Sequence, residues 1–276
     1  MIGTSISVTF TVDYPITFNT WVGRFVNRIV SEVLEGVGYR VSHASVKPFT
    51  TSPILDLGDR VVRSLAPGSV YRFRVSLFCN EVDCGRVVDG FTRPEVKLSS
   101  GEVLRVIRVN VGEVSLNVNQ SGDSPTVIRW GVRYWPTLFI FRSYYITWPS
   151  PARFLASSAQ TLSRLIEGSR INIIHGDRAL LGLAGDVDLR QFVKDLMFNT
   201  DVIRVKVRGL RLNLGGGRWV RAFSGHAEYV TYTEKTSLFK ALLNVANAYG
   251  VGKDRALGLG YVNVDATEEK VIKRQA

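Results

Sequence analysis

The run "DVIRVKVRGLRLNLGGGRWVRAFSGHAEYVTY", residues 201–232, constrains the fold more than any other part of this sequence. Polar and β-branched residues alternate on either side of a triple glycine, the pattern of a long hairpin. In its first arm Arg204, Lys206 and Arg208 share one face and Ile203, Val205 and Val207 the other. The chain is therefore expected to build antiparallel sheets with helices over one face.

The rest of the pattern agrees. Residues 4–12 alternate as a strand, and Asn19 is expected to cap a helix whose stripe is Trp21, Phe25, Ile29 and Val33. Gly36 and Gly38 end it. In "VYRFRVSLF" Tyr71, Phe73, Val75 and Leu77 face one way and Arg72, Arg74 and Ser76 the other, a strand with a basic face. A short helix or loop near 85–98 and a strand over about 102–117 complete the order β-α-β-β-α-β, a ferredoxin-like split unit. "NVNQSGDSPT", residues 117–126, is the linker. Beyond it a strand near 137–147, helices around 155–167 and at "LRQFVKDLMF", the long hairpin, a terminal helix and a last strand make a second unit. The expected architecture is α+β, tandem ferredoxin-like (RRM-like) domains over 1–123 and 124–276.

The chain's 276 residues suffice for one large domain or two ordinary ones, each with its own core. Lys plus Arg number 35 against 24 Asp plus Glu, a formal charge of +11, which favours a polyanionic partner, nucleic acid before membrane. No stretch approaches the roughly twenty apolar residues of a membrane span. The N-terminal stretch lacks a basic n-region, so a cytoplasmic setting is the expectation. Cys79 and Cys84 cannot close a zinc site alone and read as structurally minor, with a disulfide expected only in an oxidising compartment or a hyperthermophile. No cofactor or metal is called for: no carboxylate and histidine cluster has metal-ligand spacing.

The second informative stretch is "GVGKDRALGLG", residues 250–260. It follows a helix, which Thr236 and Ser237 are expected to cap, and precedes a short strand at Leu259, Tyr261 and Val262. A P-loop or dinucleotide fingerprint needs the opposite order, since phosphate sits on the N–H groups that open a helix. Gly250 is placed to be the left-handed residue ending the helix, while Gly258 and Gly260 allow close approach of backbone or ligand. Lys253 and Arg255 supply charge; the loop reads either as a turn with a solvated tip or as an anion site.

The spacing of Gly250, Gly252, Gly258 and Gly260 between the last helix and the last strand resembles the C-terminal signature of the CRISPR repeat-processing endoribonucleases, of the RAMP superfamily. "HASVKPFTTSPIL" resembles that family's histidine-bearing segment, "FRSYYITWPSPARF" the start of its second domain, and "VRAFSGHAEY" a strand of its hairpin, in matching order along nearly the whole chain. The resemblance implies tandem ferredoxin-like domains and metal-independent cleavage of precursor CRISPR RNA, leaving a 2′,3′-cyclic phosphate and a 5′-hydroxyl. Such chemistry asks for a proton carrier near neutral pH and a cation for the phosphorane-like charge. The sequence has 3 histidines, His43, His175 and His226. His43 lies in the family-like segment and is assigned as general base or acid, with Lys47 as charge stabiliser and Tyr39 as an orienting or second proton-transferring group. Arg204, Lys206, Arg208, Arg218 and Arg221 of the hairpin and Gly250, Gly252, Lys253, Arg255, Gly258 and Gly260 of the loop are assigned to RNA, although a solvated strand face or turn tip would read the same way. His226 is read as structural or an RNA contact, His175 as a turn residue. Partners in this reading are CRISPR repeat RNA, effector-complex subunits and a second copy, with no membrane. Two other readings share the pattern: a RAMP-fold subunit that holds crRNA without cutting, and a basic RNA-binding protein outside CRISPR.

Overall fold

Strict alternation in "SISVTFTV" turns Ile6, Val8, Phe10 and Val12 to one side, all buried, and the stripe Phe25, Val26, Ile29 and Val30 of the following helix covers them. The computed structural model describes residues 3–40, 46–114, 124–167, 180–181 and 187–270. The first half runs β1 (Gly3–Val12), β2 (Ile16–Thr17), α1 (Gly23–Gly36), β3 (Phe49–Thr51), β4 (Ser64–Leu65), β5 (Tyr71–Phe78), α2 (Cys84–Phe91), β6 (Glu95–Lys97) and β7 (Val103–Val114). The second runs β8 (Thr126–Thr137), β9 (Phe139–Phe141), β10 (Tyr144–Ile146), α3 (Pro151–Glu167), β11 (Leu180–Leu181), β12 (Val187–Asp188), α4 (Leu189–Phe198), β13 (Thr200–Asn213), β14 (Trp219–Thr233), α5 (Thr236–Tyr249), a 3-10 turn (Arg255–Leu257) and β15 (Val262–Lys270).

The two large sheets repeat one topology. Their strand orders are β3-β5-β1-β7-β6 and β13-β14-β8-β15. With the short edge strand β6 set aside, each reads second, third, first, fourth strand of a βαββαβ unit, all neighbours antiparallel. The tandem ferredoxin-like expectation holds. The division at residue 123 falls in a stretch outside the described residues. No described helix is long and apolar enough to cross a membrane.

Three local expectations are corrected. Asn19 does not cap α1: Val22 holds the cap position, and Trp21 N–H donates instead to Asn213 O at 2.7 Å. That helix start sits against the far end of the chain, where a Cβ on Gly23 would lie 1.9 Å from Leu257 O. At α5 Lys235 holds the cap position with no side-chain cap; Thr236 is the first helical residue and its hydroxyl donates to Ser124 O at 3.2 Å. The strand expected near 137–147 is instead two things. The central strand β8 starts at Thr126, with Ile128, Trp130, Val132 and Tyr134 inward, and residues 139–146 form a separate small hairpin.

The basic face of β5 finds its partners within the chain. Arg74 Nε donates to Ser5 Oγ at 2.6 Å and its Nη1 to Asn247 O on α5 at 3.3 Å, while Ser76 Oγ donates to Ala248 O at 2.6 Å. Tyr249 Oη donates to Leu77 O at 2.8 Å, so the end of α5 lies on the first sheet. Arg72 pairs with Asp59. Polar residues on this face thus satisfy one another and the second unit's helix end.

Candidate nucleic-acid interface

Along the β13–β14 hairpin the polarity of the two faces reverses. Cross-strand pairs Lys206↔His226, Arg208↔Ser224, Leu210↔Ala222 and Leu212↔Val220 share one face. Near β8 that face is charged and exposed; toward the hairpin end it is apolar, and Val220 joins the core of the first unit. The opposite face starts apolar, with Val205, Val207, Ala227 and Phe223 against the second core, and ends in Arg211, Arg221 and Trp219. The three-residue step from Arg208 to Arg211, after two-residue steps from Arg204, is the sequence trace of this switch.

Lys206, His226, Arg133 and Asn263 are cross-strand neighbours in one row over the whole second sheet. Lys206 and His226 line, with Arg208 and Arg133, a groove of about 1080 Å³ whose other wall is Phe18–Val22 and Asp59–Arg63 of the first unit. Arg133 stacks over the Trp135 ring at 4.5 Å, and Trp135 Nε1 donates to Asp59 O at 3.0 Å, tying the walls together. Glu228 is taken up by Arg129 at 2.8 Å, a hydrogen bond that holds its carboxyl below the ordinary range. His226 Nε2 stands 3.5 Å from Glu228 Oε1. A groove that is cationic on one wall and mixed on the other suits a phosphate backbone. Arg133 was missed in the sequence, yet the alternation "VIRWGVRYW" carries the signal for it.

The expected RNA contacts divide. Arg204, Lys206 and Arg208 share the groove side of the hairpin, whereas Arg221 projects from the other face. Arg218 is held by Asp254 of the glycine loop at 2.5 Å. Lys253 is exposed, but Arg255 turns inward, donating to Thr161 Oγ1 at 2.6 Å and Gly250 O at 3.3 Å.

The glycine loop itself is a packed joint. A Cβ would lie 2.4 Å from Gly260 O at Gly250, 2.4 Å from Leu138 O at Gly252, 3.0 Å from Ser52 O at Gly258 and 1.8 Å from Val251 O at Gly260. Gly250 has φ 69° and ψ −178°, outside the left-handed helical region expected of it and in a region restricted to glycine. Trp21 Nε1 donates to Leu257 O at 2.6 Å, Asn27 to Ala256 O at 2.9 Å and Thr51 to Ala256 O at 3.2 Å. The loop therefore rests on α1 and β3 of the first unit. Gly260→Ala is expected to lower stability by more than about 2 kcal/mol in a urea titration, because both φ and backbone contact oppose it. Gly216→Ala, at φ 60° with open space around it, should lose only about 1 kcal/mol; equal losses would mean that the loop yields.

The loop lies on β3, which begins two residues after Lys47. Along α3, Ser157 accepts from Gly252 N at 2.8 Å, Thr161 accepts from Arg255, and Arg164 Nη2 donates to Lys47 O at 2.9 Å. One helix face so spans from the glycine loop to the Lys47 segment. Arg164 also makes two 2.6 Å bonds to Glu81 and lies 3.7 Å over the Phe78 ring. Glu81 sits in the loop that the Cys79–Cys84 disulfide closes. From the same loop Asp83 N–H donates to Tyr39 Oη at 2.6 Å. Burial lowers the Lys47 ammonium from its ordinary value, and the Glu35 charge restores part of it. Tyr39 and Lys47 thus flank one corner of the first unit; His43, between them in sequence, and His175 lie outside the described residues.

Residues 132–262 match the family model of the CRISPR-associated endoribonuclease Cas6. No curated protein matches the sequence significantly. Among solved structures, a Cas6 product complex aligns with TM-score 0.67 at 16% identity, covering 95% of this chain and 100% of that one. Thermus thermophilus Cas6 aligns with TM-score 0.63 at 18% identity, over 95% and 98% of the two chains. A Cas6 substrate mimic complex aligns with TM-score 0.62 at 18% identity, over 96% and 100%. At these identities the likeness is one of fold, and it extends along the chain on both sides of the matched segment.

Proposed function

We propose that this chain, which carries the Cas6 signature over residues 132–262 and the Cas6 fold over nearly its whole length, is an endoribonuclease that cuts precursor CRISPR RNA within its repeats. The observation that carries the reading is the packing of the signature glycine loop on β3, beside Lys47, with a cationic groove next to it. In the proposed reaction the ribose 2′-oxygen forms a bond to the adjacent phosphorus while the bond to the 5′-oxygen breaks. A base takes the 2′-hydroxyl proton, an acid returns one to the leaving oxygen, and a 2′,3′-cyclic phosphate and a 5′-hydroxyl result, with no metal ion required. His43 carries the proton by this assignment, since imidazole titrates nearest neutral pH. Lys47, its backbone fixed by Arg164, stabilises the charge that builds on the phosphate. Tyr39 Oη accepts a bond from Asp83, which leaves its own proton to donate and suits an orienting role.

Phosphate binding is assigned to Arg204, Lys206 and Arg208 with Arg133 and His226 beside them, and to the exposed Lys253 at the edge of the loop. Loss of Lys206 and Arg208 together, as alanines, should lower the slope of log affinity against log salt by about 2, one for each phosphate contact. A slope unchanged from the parent protein would take the RNA off this groove.

Labelled repeat RNA, incubated with the protein in EDTA with and without a 2′-deoxy sugar at the scissile position, tests the function. Cleavage that persists in EDTA and stops with the 2′-deoxy substrate is expected. Folded protein that binds the repeat and never cuts it would replace this reading with that of a crRNA-holding subunit. Cleavage abolished by EDTA and restored by a divalent ion would overturn the metal-free step.

A further inference from the structure

Past its basic groove, the β13–β14 hairpin ends in aromatic and arginine side chains that the fold leaves uncovered. Trp219 is 49% exposed, with the Arg211 guanidinium 4.7 Å over its ring. Beside it lies the β9–β10 hairpin, joined to β14 by a bond from Tyr145 Oη to Trp219 O at 3.4 Å. There Tyr144 is 75% exposed, and the ring of its cross-strand partner Phe141 lies under Arg153 at 4.2 Å and Arg142 at 5.5 Å. Among the described residues no carboxylate pairs with Arg142, Arg153 or Arg211. The turn between β9 and β10 is Arg142-Ser143, at φ 45° and 71°. Two-residue turns of this hand favour Asn-Gly, so the sequence keeps an arginine side chain where backbone preference disfavours it.

Planar rings with unpaired guanidiniums laid over them are the chemistry that holds unpaired nucleotides: bases stack on the rings and phosphates meet the arginines. A duplex offers stacking only at its ends, since its bases face inward. A protein partner would bring apolar surface to the rings but would have to supply carboxylates for the arginines. We propose that the β9–β10 hairpin and the end of β13–β14 form a subsite for single-stranded RNA, beyond the Lys206 and His226 stretch of the groove, which takes unpaired nucleotides of the RNA substrate. The proposal rests on the RNA-cleaving reading for the identity of the substrate, but its binding chemistry stands on these side chains alone.

The test uses the full chain and the variant Tyr144→Ala/Trp219→Ala, with Tyr144→Phe as the conservative control. The probes are a fluorescein-labelled oligoadenylate of about twelve nucleotides and an RNA duplex of the same length, read by anisotropy. The double variant should bind the oligoadenylate at least about 10-fold more weakly, the duplex within about 2-fold, with Tyr144→Phe near the parent for both. Both side chains are substantially exposed, so the far-UV spectrum and melting curve should match the parent. Unchanged oligoadenylate binding, or an equal loss on both probes, would overturn the subsite. Unchanged binding with a parent dimer that the variant turns into monomer would make the patch a protein interface and overturn it too. A parent protein that holds oligoadenylate through Tyr144 and Trp219 but never cuts repeat RNA would support the subsite while removing the nuclease reading.

Discussion

Alanine at His43 is expected to lower the single-turnover rate of repeat cleavage by about 10²–10⁴-fold while leaving RNA affinity within about 2-fold. The expectation follows from chemistry. The 2′-hydroxyl must lose a proton as its oxygen meets phosphorus, and only imidazole among the unperturbed side chains exchanges protons readily near pH 7. Of the 3 histidines, His226 lines the groove beside Lys206 and Arg133, where its loss should act on affinity more than on rate. On the proposed assignment, removing His43 would delete the proton transfer and leave the residues of the groove and the glycine loop unchanged. Lys47→Ala should also lower the rate with little change in affinity, since a cation acting on the developing charge matters most in the transition state. Cleavage by His43→Ala at the parent rate would move proton transfer to another group.

Glu81→Ala is expected to lower stability by about 3–5 kcal/mol. The Arg164 side chain is 6% exposed and Glu81 26%, and the carboxylate accepts both 2.6 Å bonds from the guanidinium. Without it a buried positive charge keeps only Lys47 O and the Phe78 ring. The penalty is for stranding that charge rather than for losing a bond, so Glu81→Ala/Arg164→Leu should recover most of the stability. Urea titrations of parent, single and double variants under oxidising conditions would measure this. A loss below about 1 kcal/mol for Glu81→Ala would mean that water reaches Arg164 and that the pair is only a surface contact. Since Arg164 also anchors the Lys47 carbonyl, the single variant should cut more slowly even at temperatures where it is folded.

Elements with a strong local signal were legible in the sequence. The α1 stripe, the strict alternation of β5, the division of the hairpin at "GGG" and the order helix, glycines, strand near the C-terminus all recur in the structure at nearly the expected places. Where expectation failed, a distant partner decided. Asn19 had good cap chemistry, but the helix start is tied to Asn213 and pressed against Leu257, residues remote in sequence. Residues 137–147 read as a single strand in sequence, whereas 139–146 fold as a small separate hairpin and the inward alternation belongs to β8, which starts at Thr126. The disulfide between Cys79 and Cys84 was left conditional, and the structure adds what it closes: the loop that holds Arg164 and Tyr39.

By itself the sequence determined the two βαββαβ units, since side-chain period and turn chemistry are local properties that survive without knowledge of neighbours. It also determined the cationic character of the hairpin and the residue types from which a proton carrier could be drawn. Tertiary structure alone decided which charges face outward. Alternation reports that a strand has two environments, not what covers each, so Arg74 of β5 reaches across to α5 and Arg255 folds back onto α3, while Lys206, His226 and Arg133 line the groove. The glycines near the C-terminus were readable as places of close approach; that the approaching backbone belongs to Ser52, Leu138 and Val251 is a matter of long-range packing, which no local pattern encodes.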